Sequence, residues 1–569
     1  MKKRMVVAAA LAGMMLLTSC KATTKTPTNT AAAKLAGTVS AADTTKSPAQ
    51  ANSRSDTFVV GNTQMSGVWN KEYSSNSYDW YVCDVMFDYL VTPTPDGKAM
   101  DNAATYTISK DAKTFTFKIK KDVKYWDGNA ATADDVVWYL TYLADPNYDG
   151  QVDLSSLNIE GYDAYHKGSA TSISGVKALD KNTVQITLTQ PNAAGLWNLN
   201  MPLIEKAYYA PNFKKGDAKE VSAEWAKKAP MGTGAYKFVS YSAATGAKLT
   251  ANDNYFNGKP KIANLEFAVV PEGQELQSVQ TGQTDFDNAT CSDDDVAAVK
   301  KASFINAYYY PTNGFGMVQW NLTEDKFKDV RVRQALAYGL NRAAVIKSVY
   351  GPYGLQNDVP LPMASWGYTS DAKNGITTYD FNLAKAKQLL NDAGWTLNPN
   401  TNQLEKDGKA FTIDFTATSG NPVTDVMLPE MKQDYAKLGI KVNVETADFA
   451  TLLKGYYAAT LDATFLGNGL STPDPDTSVQ FMTGQGQNYY KYSNTALDTL
   501  YKDELTETNQ SKRTQLFYQI DKILNNDLPV FTIYQRNDMY VVNSRIGNIP
   551  TMGAFRDPQL DFYKYTIKK

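Results

Sequence analysis

A single histidine, His166, stands in a chain of 569 residues, and that scarcity leaves little room for imidazole chemistry. Nucleophile pairs of the Ser-His or Cys-His kind need a placed ring, and transition-metal sites need several nitrogen or sulfur ligands. His166 lies in a polar stretch at 161–170 and reads as a surface residue. Cysteine is almost as rare. Cys20, Cys83 and Cys291 are the three present, too few for a disulfide framework. Cys83 and Cys291 read as buried thiols, with pairing left open. A charge excess is missing too: 57 basic and 59 acidic residues give a net charge of -2, which offers no electrostatic footprint for nucleic acid. No H-E-x-x-H, G-x-S-x-G or phosphate loop occurs, and Gly232 and Gly234 lack the third glycine of a dinucleotide fingerprint because residue 237 is Lys237. No cofactor is therefore expected, and catalysis is left with scattered carboxylates of the kind a glycosidase uses.

Long apolar runs are scarce as well. Lys2, Lys3 and Arg4 precede an apolar run at 5–17, shorter than the roughly 20 residues that span a bilayer. This pattern predicts a signal peptide over 1–19. Its end, Leu17-Thr18-Ser19-Cys20, resembles a bacterial lipobox, which would make Cys20 the lipidated residue of an extracytoplasmic, membrane-anchored protein. From 20 to 55 the chain is Thr, Ala, Lys, Ser and Asn without an aromatic residue, so it is expected to be a flexible tether.

The remaining body is too long for one core and predicts two or three domains. A strand at 57–60 leads into a polar-aromatic loop containing Trp69 and Tyr73, and then a helix whose inner face is Val82, Val85, Met86 and Leu90. Alternating Phe115, Phe117 and Ile119 mark a strand, and Thr132 to Asp135 a capping box opening a helix. Asp145, Asn147 and Asp149 match half of a calcium loop, but Ser156 stands where the bidentate Glu belongs, so an Asx-rich turn is the reading. Asp293, Asp294 and Asp295 after Ser292 complement a helix dipole. An aromatic strand at 305–310, a break at 311–314, a strand at 317–320 and a helix capped by Asp329 form the junction of two regions. Beyond it, helices and strands alternate as in an α/β domain.

The junction motif D-x-R-V-R-Q-A-L-x-Y at 329–338 is similar to the segment joining the two lobes of family 5 extracellular solute-binding proteins, the peptide and nickel receptors of ABC importers. The stretch 122–136 resembles that family's D-V-K-F-DG-TA-DV signature, and 231–238 its G-T-G-P-Y segment, with Ala235 replacing Pro. The resemblance covers nearly all of 57–545. It implies an α/β, two-lobe fold of the type II periplasmic-binding-protein kind, with an extra subdomain in the first lobe. The corresponding domains are lobe I at 56–91 and 229–308, an outer subdomain at 92–228, lobe II at 309–527 and a return to lobe I at 528–569. Hinge crossings are expected near 310–313 and 526–530.

The resemblance also implies a cleft for ligand, with Trp69, Tyr73, Phe315, Asn468, Gly469, Ser471, Asp474 and Asp476 as candidate binding residues. Several peptide-binding members carry an Asp three positions before the first Asp of the Asp-Pro-Asp loop, where it pairs with the ligand's amino terminus. Here that position is Ser471. Amino-terminal recognition is accordingly expected to be weak, with Asp474 or Asp476 as substitutes and turn chemistry as the competing reading of both. The expected ligand is a peptide held through its backbone; nine Trp and 36 Tyr keep an oligosaccharide as the alternative. Expected partners are ABC permease subunits and, through the lipid, a membrane. The protein is expected to be a monomeric binding protein rather than an enzyme.

Overall fold

The computed structural model describes residues 36–74, 76–470 and 472–568. The segment 1–19, Cys20 and Ser471 lie outside these described residues. Among them, no helix is long and apolar enough to cross a membrane.

The organising feature is a sheet of 13 strands. The lobe I half contains Phe286–Ala289, Thr57–Asn62, Asn264–Val269, Gly246–Ala251 and Tyr236–Ser242, neighbours in that order. Phe58, Val59 and Val60 form an unbroken buried run, as expected where parallel neighbours lie on both sides and both faces are covered. The lobe II half runs Lys441–Ala447, Thr412–Thr418, Ala463–Asn468 and Phe315–Trp320.

One strand, Val530–Asn543, joins the halves. Its first part pairs with Phe315–Trp320, and its second with Ile305–Pro311 and Phe286–Ala289. This corrects the expected return to lobe I at 528 and the second crossing at 526–530. Residues 530–534 still belong to lobe II, where Phe531, Ile533 and Tyr534 are in its core. Met539 and Val541 enter a lobe I core instead. The polar run Gln535-Arg536-Asn537-Asp538 between them is the crossing, because neither core takes these side chains as apolar members.

The outer subdomain has a four-stranded sheet, Ala104–Ile108, Thr114–Ile119, Thr183–Thr187 and Val176–Asp180 in spatial order. Phe115, Phe117 and Ile119 point into its core, which is continuous with that of lobe I through Val85 and Phe58. Its helix Ala133–Leu143 opens on the expected Thr132/Asp135 capping box. Asp329 caps Val330–Gly339 by accepting from the Arg331 N–H at 2.9 Å.

The flexible tether expected to run to residue 55 is corrected from residue 37 onward. Gly37–Val39 pairs antiparallel with Ile305–Pro311, matching Gly37 to Tyr309 and Val39 to Ala307. Ser47 Oγ donates to Asn543 Oδ1 at 3.0 Å, and Arg54 reaches Asp285 at 3.0 Å. Scarce apolar residues led to the tether reading, yet backbone pairing to a sheet edge and polar side-chain bonds hold this segment without much burial.

Candidate functional site: the interlobe cleft

The two chain passages between lobes lie side by side. The Thr312 N–H donates to the Arg536 carbonyl at 3.0 Å, so 312–314 and 535–537 make a narrow double connection. Beside it lies a cavity of about 300 Å³. Lobe I contributes Lys71, Asp84, Trp197 and Asp557 to its wall, the crossing contributes Asn313, and the lobe II loop contributes Thr472 and Pro473. Lys71 Nζ is ion-paired with Asp84 Oδ1 and lies 5.3 Å from the centre of the Tyr89 ring.

A second cavity of about 340 Å³ lies within lobe II, between the sheet and the helix Phe449–Tyr457. Met317, Gln319 and Asn468 form its sheet side. Opposite are Tyr456, Tyr457, Tyr489 and Tyr490, whose rings contact one another with centroids 5.1 to 5.6 Å apart. The strand Ala463–Asn468 pairs with Phe315–Trp320 along its whole length, but its register with Thr412–Thr418 extends only over Ala463 and Thr464. The strand therefore parts from one neighbour before it reaches the cleft. A Cβ placed on Gly467 would meet nothing within 4 Å, so its surroundings are open.

The predicted residues are distributed unevenly around this geometry. Phe315 and Asn468 are register partners; Phe315 is packed into the lobe II core, while Asn468 lines the tyrosine-rich cavity. Gly469 abuts the crossing: a Cβ there would lie 2.3 Å from the Asn313 carbonyl oxygen. Asn313 Nδ2 in turn donates to the Leu470 carbonyl at 2.8 Å. Trp69 is half-buried against Phe238 and Tyr241, at 5.7 and 5.2 Å between centroids. It borders a small pocket that shares Lys71 and Tyr89 with the interlobe cavity. Tyr73 faces the outer subdomain, donating to Asp149 at 3.1 Å and accepting from the Tyr142 hydroxyl at 3.2 Å.

Asp474 is already engaged. Its Oδ1 accepts from Arg513 Nη2 at 2.8 Å, and the same guanidinium lies 2.6 Å from Glu504. Burial raises the Glu504 pKa well above the ordinary carboxylate value, with Arg513 opposing. Asp476 accepts from the Ser478 N–H at 2.8 Å, and burial followed by repulsion from Asp474 raises its pKa. Turn and loop-fixing chemistry thus accounts for both aspartates.

Sequence reasoning missed Lys71, Asp84, Asn313 and Asp557. Lys71 was within reach, two residues from Trp69 in the same loop. Asp557 had no signal, since the residues that share its cavity are at least 84 positions away or belong to the unpatterned C-terminal segment. Among the described residues no group of three or more His, Cys, Asp or Glu could hold a metal ion. Cys83 and Cys291 are both free and buried.

Two lobes joined by a paired crossing, with a cavity walled by both, define the architecture of bilobal solute-binding proteins. The chain belongs to the bacterial extracellular solute-binding proteins, family 5, whose model matches residues 100–490. It is 27% identical over 492 residues to the oligopeptide-binding protein AppA of Bacillus subtilis, covering 84% of this chain and 86% of that one. With the dipeptide-binding protein of Escherichia coli it shares 28% identity over 454 residues, 76% of this chain and 79% of the other. The solved structure of Bacillus subtilis AppA in complex with a nonapeptide superposes with a TM-score of 0.73 at 24% identity, covering 91% of this chain and 99% of that one. That likeness supports the fold expected from the sequence, and the matched relatives are named as binding proteins.

Proposed function

We infer that this protein captures peptides between its lobes and delivers them to the permease subunits of an ABC importer. It works as a monomer held to the outer face of a bacterial membrane by lipid on Cys20. The observation that carries the peptide reading is the free end of the strand Ala463–Asn468. Beyond Thr464 it has one registered neighbour rather than two, and Gly467 keeps the approach clear. An extended peptide can add there by backbone hydrogen bonds that are indifferent to side-chain identity, while the adjoining cavities accept side chains. Trp69, Phe315, Asn468 and Gly469 shape this region, and Ser471 is assigned to ligand binding from its place in the sequence alone. Asp474 and Asp476 hold that loop in place rather than meeting ligand. Tyr73 acts at one remove, by fixing the Trp69 loop to the outer subdomain.

The tyrosines of the lobe II cavity favour a second reading, an oligosaccharide stacked on their faces. Native mass spectrometry of protein extracted from membranes without denaturation separates the two. Peptide masses released from the folded protein, together with acyl mass on a mature chain beginning at Cys20, are the expected result. Hexose-spaced adducts with no peptide would transfer the reading to sugars, and an unacylated chain would remove the anchor. Turnover of either ligand would contradict a binding role, which depends on releasing the ligand unchanged.

A further inference from the structure

One small apolar cluster is built from both lobes. Val359, Leu361, Ile376 and Leu470 belong to lobe II, and Phe555, from the carboxy-terminal segment that folds back on lobe I, is buried with them. Phe555 is only 7% exposed, although it sits on a loop in the wall of the interlobe cavity.

Each half of this contact is fixed by its own lobe. On the lobe I side, the Arg556 backbone N–H donates to the Gly553 carbonyl at 3.2 Å, which makes 553–556 a tight turn. The Arg556 guanidinium is held by Asp561 at 2.7 and 2.9 Å and donates to the Pro93 carbonyl at 2.8 Å. A Cβ on Gly553 would lie 2.6 Å from the Pro95 carbonyl oxygen, so the turn rests against the hairpin of Val91–Pro93 and Ala99–Asp101. Phe555 is thus presented by an anchored turn rather than by a loose tail. On the lobe II side, the segment 356–382 has neither strand nor α-helix and is held by polar side chains instead. Arg342 donates to the Asn357 carbonyl at 3.0 Å and pairs with Asp358 at 2.6 Å. Asn357 Nδ2 donates to the Leu361 carbonyl at 3.0 Å, and Asn525 Nδ2 to the Asp358 and Thr377 carbonyls, both at 2.9 Å. These bonds place Val359, Leu361 and Ile376 without help from lobe I. Leu470 belongs to the cleft loop itself, next to Gly469.

Two other contacts pass between the lobes outside the crossing. A Cβ on Gly97 would meet the Phe555 ring at 3.0 Å and Pro473 at 3.3 Å, and the Ala193 N–H donates to the Leu505 carbonyl at 2.7 Å. A backbone hydrogen bond exchanged for one with water contributes little net free energy, whereas burial of an aromatic ring contributes more. The ring is therefore the dominant member of this set.

We propose that Phe555 is a latch between the lobes: seated in the socket of Val359, Leu361, Ile376 and Leu470 it keeps them together, and wider opening of the cleft has to withdraw it into water. Removal from water is a non-directional driving force, so the ring can leave and return without an exact geometry to rebuild. The latch does not depend on what the cleft binds and goes beyond the peptide reading. Ligand and latch nevertheless share a wall, since Phe555 lines the interlobe cavity and Leu470 continues the loop that borders it. Returning the ring to water should lower the ratio of latched to unlatched molecules roughly tenfold to a hundredfold.

The test is small-angle scattering of the ligand-free full chain as wild type, Phe555→Ala, Phe555→Leu, Leu361→Ala and the Phe555→Ala/Leu361→Ala double variant, each verified as folded by circular dichroism. Phe555→Ala should have a larger radius of gyration than wild type, with Phe555→Leu between the two. Leu361→Ala, altered in the other lobe, should shift the same way, and it carries the test alone if Phe555→Ala does not fold. The double variant should expand no further than the stronger single one, because either change empties the same contact. A radius unchanged in the variants would overturn the proposal. Expansion in Phe555→Ala that Leu361→Ala does not share, or that adds to it in full, would assign the ring to packing within lobe I and overturn it as well. Stopped-flow release of a synthetic nonapeptide provides the second readout, with release from Phe555→Ala expected to be at least about tenfold faster. Equal release rates would show that the ring does not hold the lobes together and would count against the latch. A nonapeptide that fails to bind the wild type would challenge the peptide reading alone, and scattering would then decide the latch.

Discussion

Asp287 shows how a single residue can set pH dependence without belonging to the site. It lies 4% exposed beneath the first lobe I strand, with its carboxylate against Gly61. It accepts from the Asn288 N–H at 2.9 Å and the Ser278 hydroxyl at 3.2 Å. Burial raises its pKa to about 7, those hydrogen bonds opposing. In the unfolded chain it titrates near ~4. As pH rises between these values the unfolded state releases its proton first, so the contribution to stability is full below pH ~4 and is lost by about pH 7. Asp287→Asn, which keeps an acceptor oxygen and abolishes the titration, should be more stable than wild type above pH 7 by on the order of 2–4 kcal/mol. Urea melts at pH 4 and pH 8 check this: an advantage equal at both pH values would assign the effect to packing. None of it could be read from the sequence, where Asp287 follows Phe286 without any motif. Asp474 teaches the converse. Its Asp-Pro-Asp setting was legible as either turn or ligand chemistry, and the choice depended on Arg513, 39 residues away, entering the loop.

Elements were more legible than their boundaries. Periodicity located the strand around Phe115 and the helix after Thr132 because both bury one face against one core. It failed at Val530–Asn543, where one strand serves two cores in succession, and it failed at the amino-terminal edge, where almost nothing is buried. Gly37–Val39 is held by a ladder to Ile305–Pro311, the Ala42 and Asp43 N–H groups donate to the Ser303 carbonyl at 2.7 and 2.9 Å, and Ala41 N–H donates to Asn306 at 3.0 Å. Composition is blind to such bonds, since any residue except proline brings the same backbone donors and acceptors. A chain beginning at residue 56 should therefore be less stable than one beginning at residue 36 by ~2 kcal/mol or more, at roughly 1 kcal/mol for each net hydrogen bond lost. Thermal melts of the two proteins decide the matter. Coincident transitions would return 37–55 to the role of a tether, and a deeper loss than the bonds account for would implicate the Arg54 pair with buried Asp285.

At the scale of the whole molecule, capture requires the lobes to move as bodies about the double crossing. The cores support this in part, because separate large apolar clusters fill lobe I and lobe II and the crossing itself is polar, although a small cluster of Val359, Leu361, Ile376 and Leu470 packs on Phe555 of lobe I. Lobe II also carries its cleft loop rigidly. Arg513, on the helix Gln510–Asp527, ties Asp474 to Glu504 inside that lobe. The loop therefore follows the lobe rather than swinging alone. Rotation has to be absorbed at 312–314 and 535–537, where backbone contacts such as Thr312 to Arg536 can persist while dihedral angles change. Closure would carry Thr472 and Pro473 toward Asp557 and Lys71, bringing the two walls of the cavity together around a ligand. The peptide-bound protein should accordingly have a smaller radius of gyration than the free one. Small-angle scattering with a peptide at a hundred times its dissociation constant, where occupancy is essentially complete, measures the change directly. Identical profiles under those conditions would mean that ligand enters a cleft already closed, and the polar crossing would then be a rigid strut between the lobes rather than a hinge.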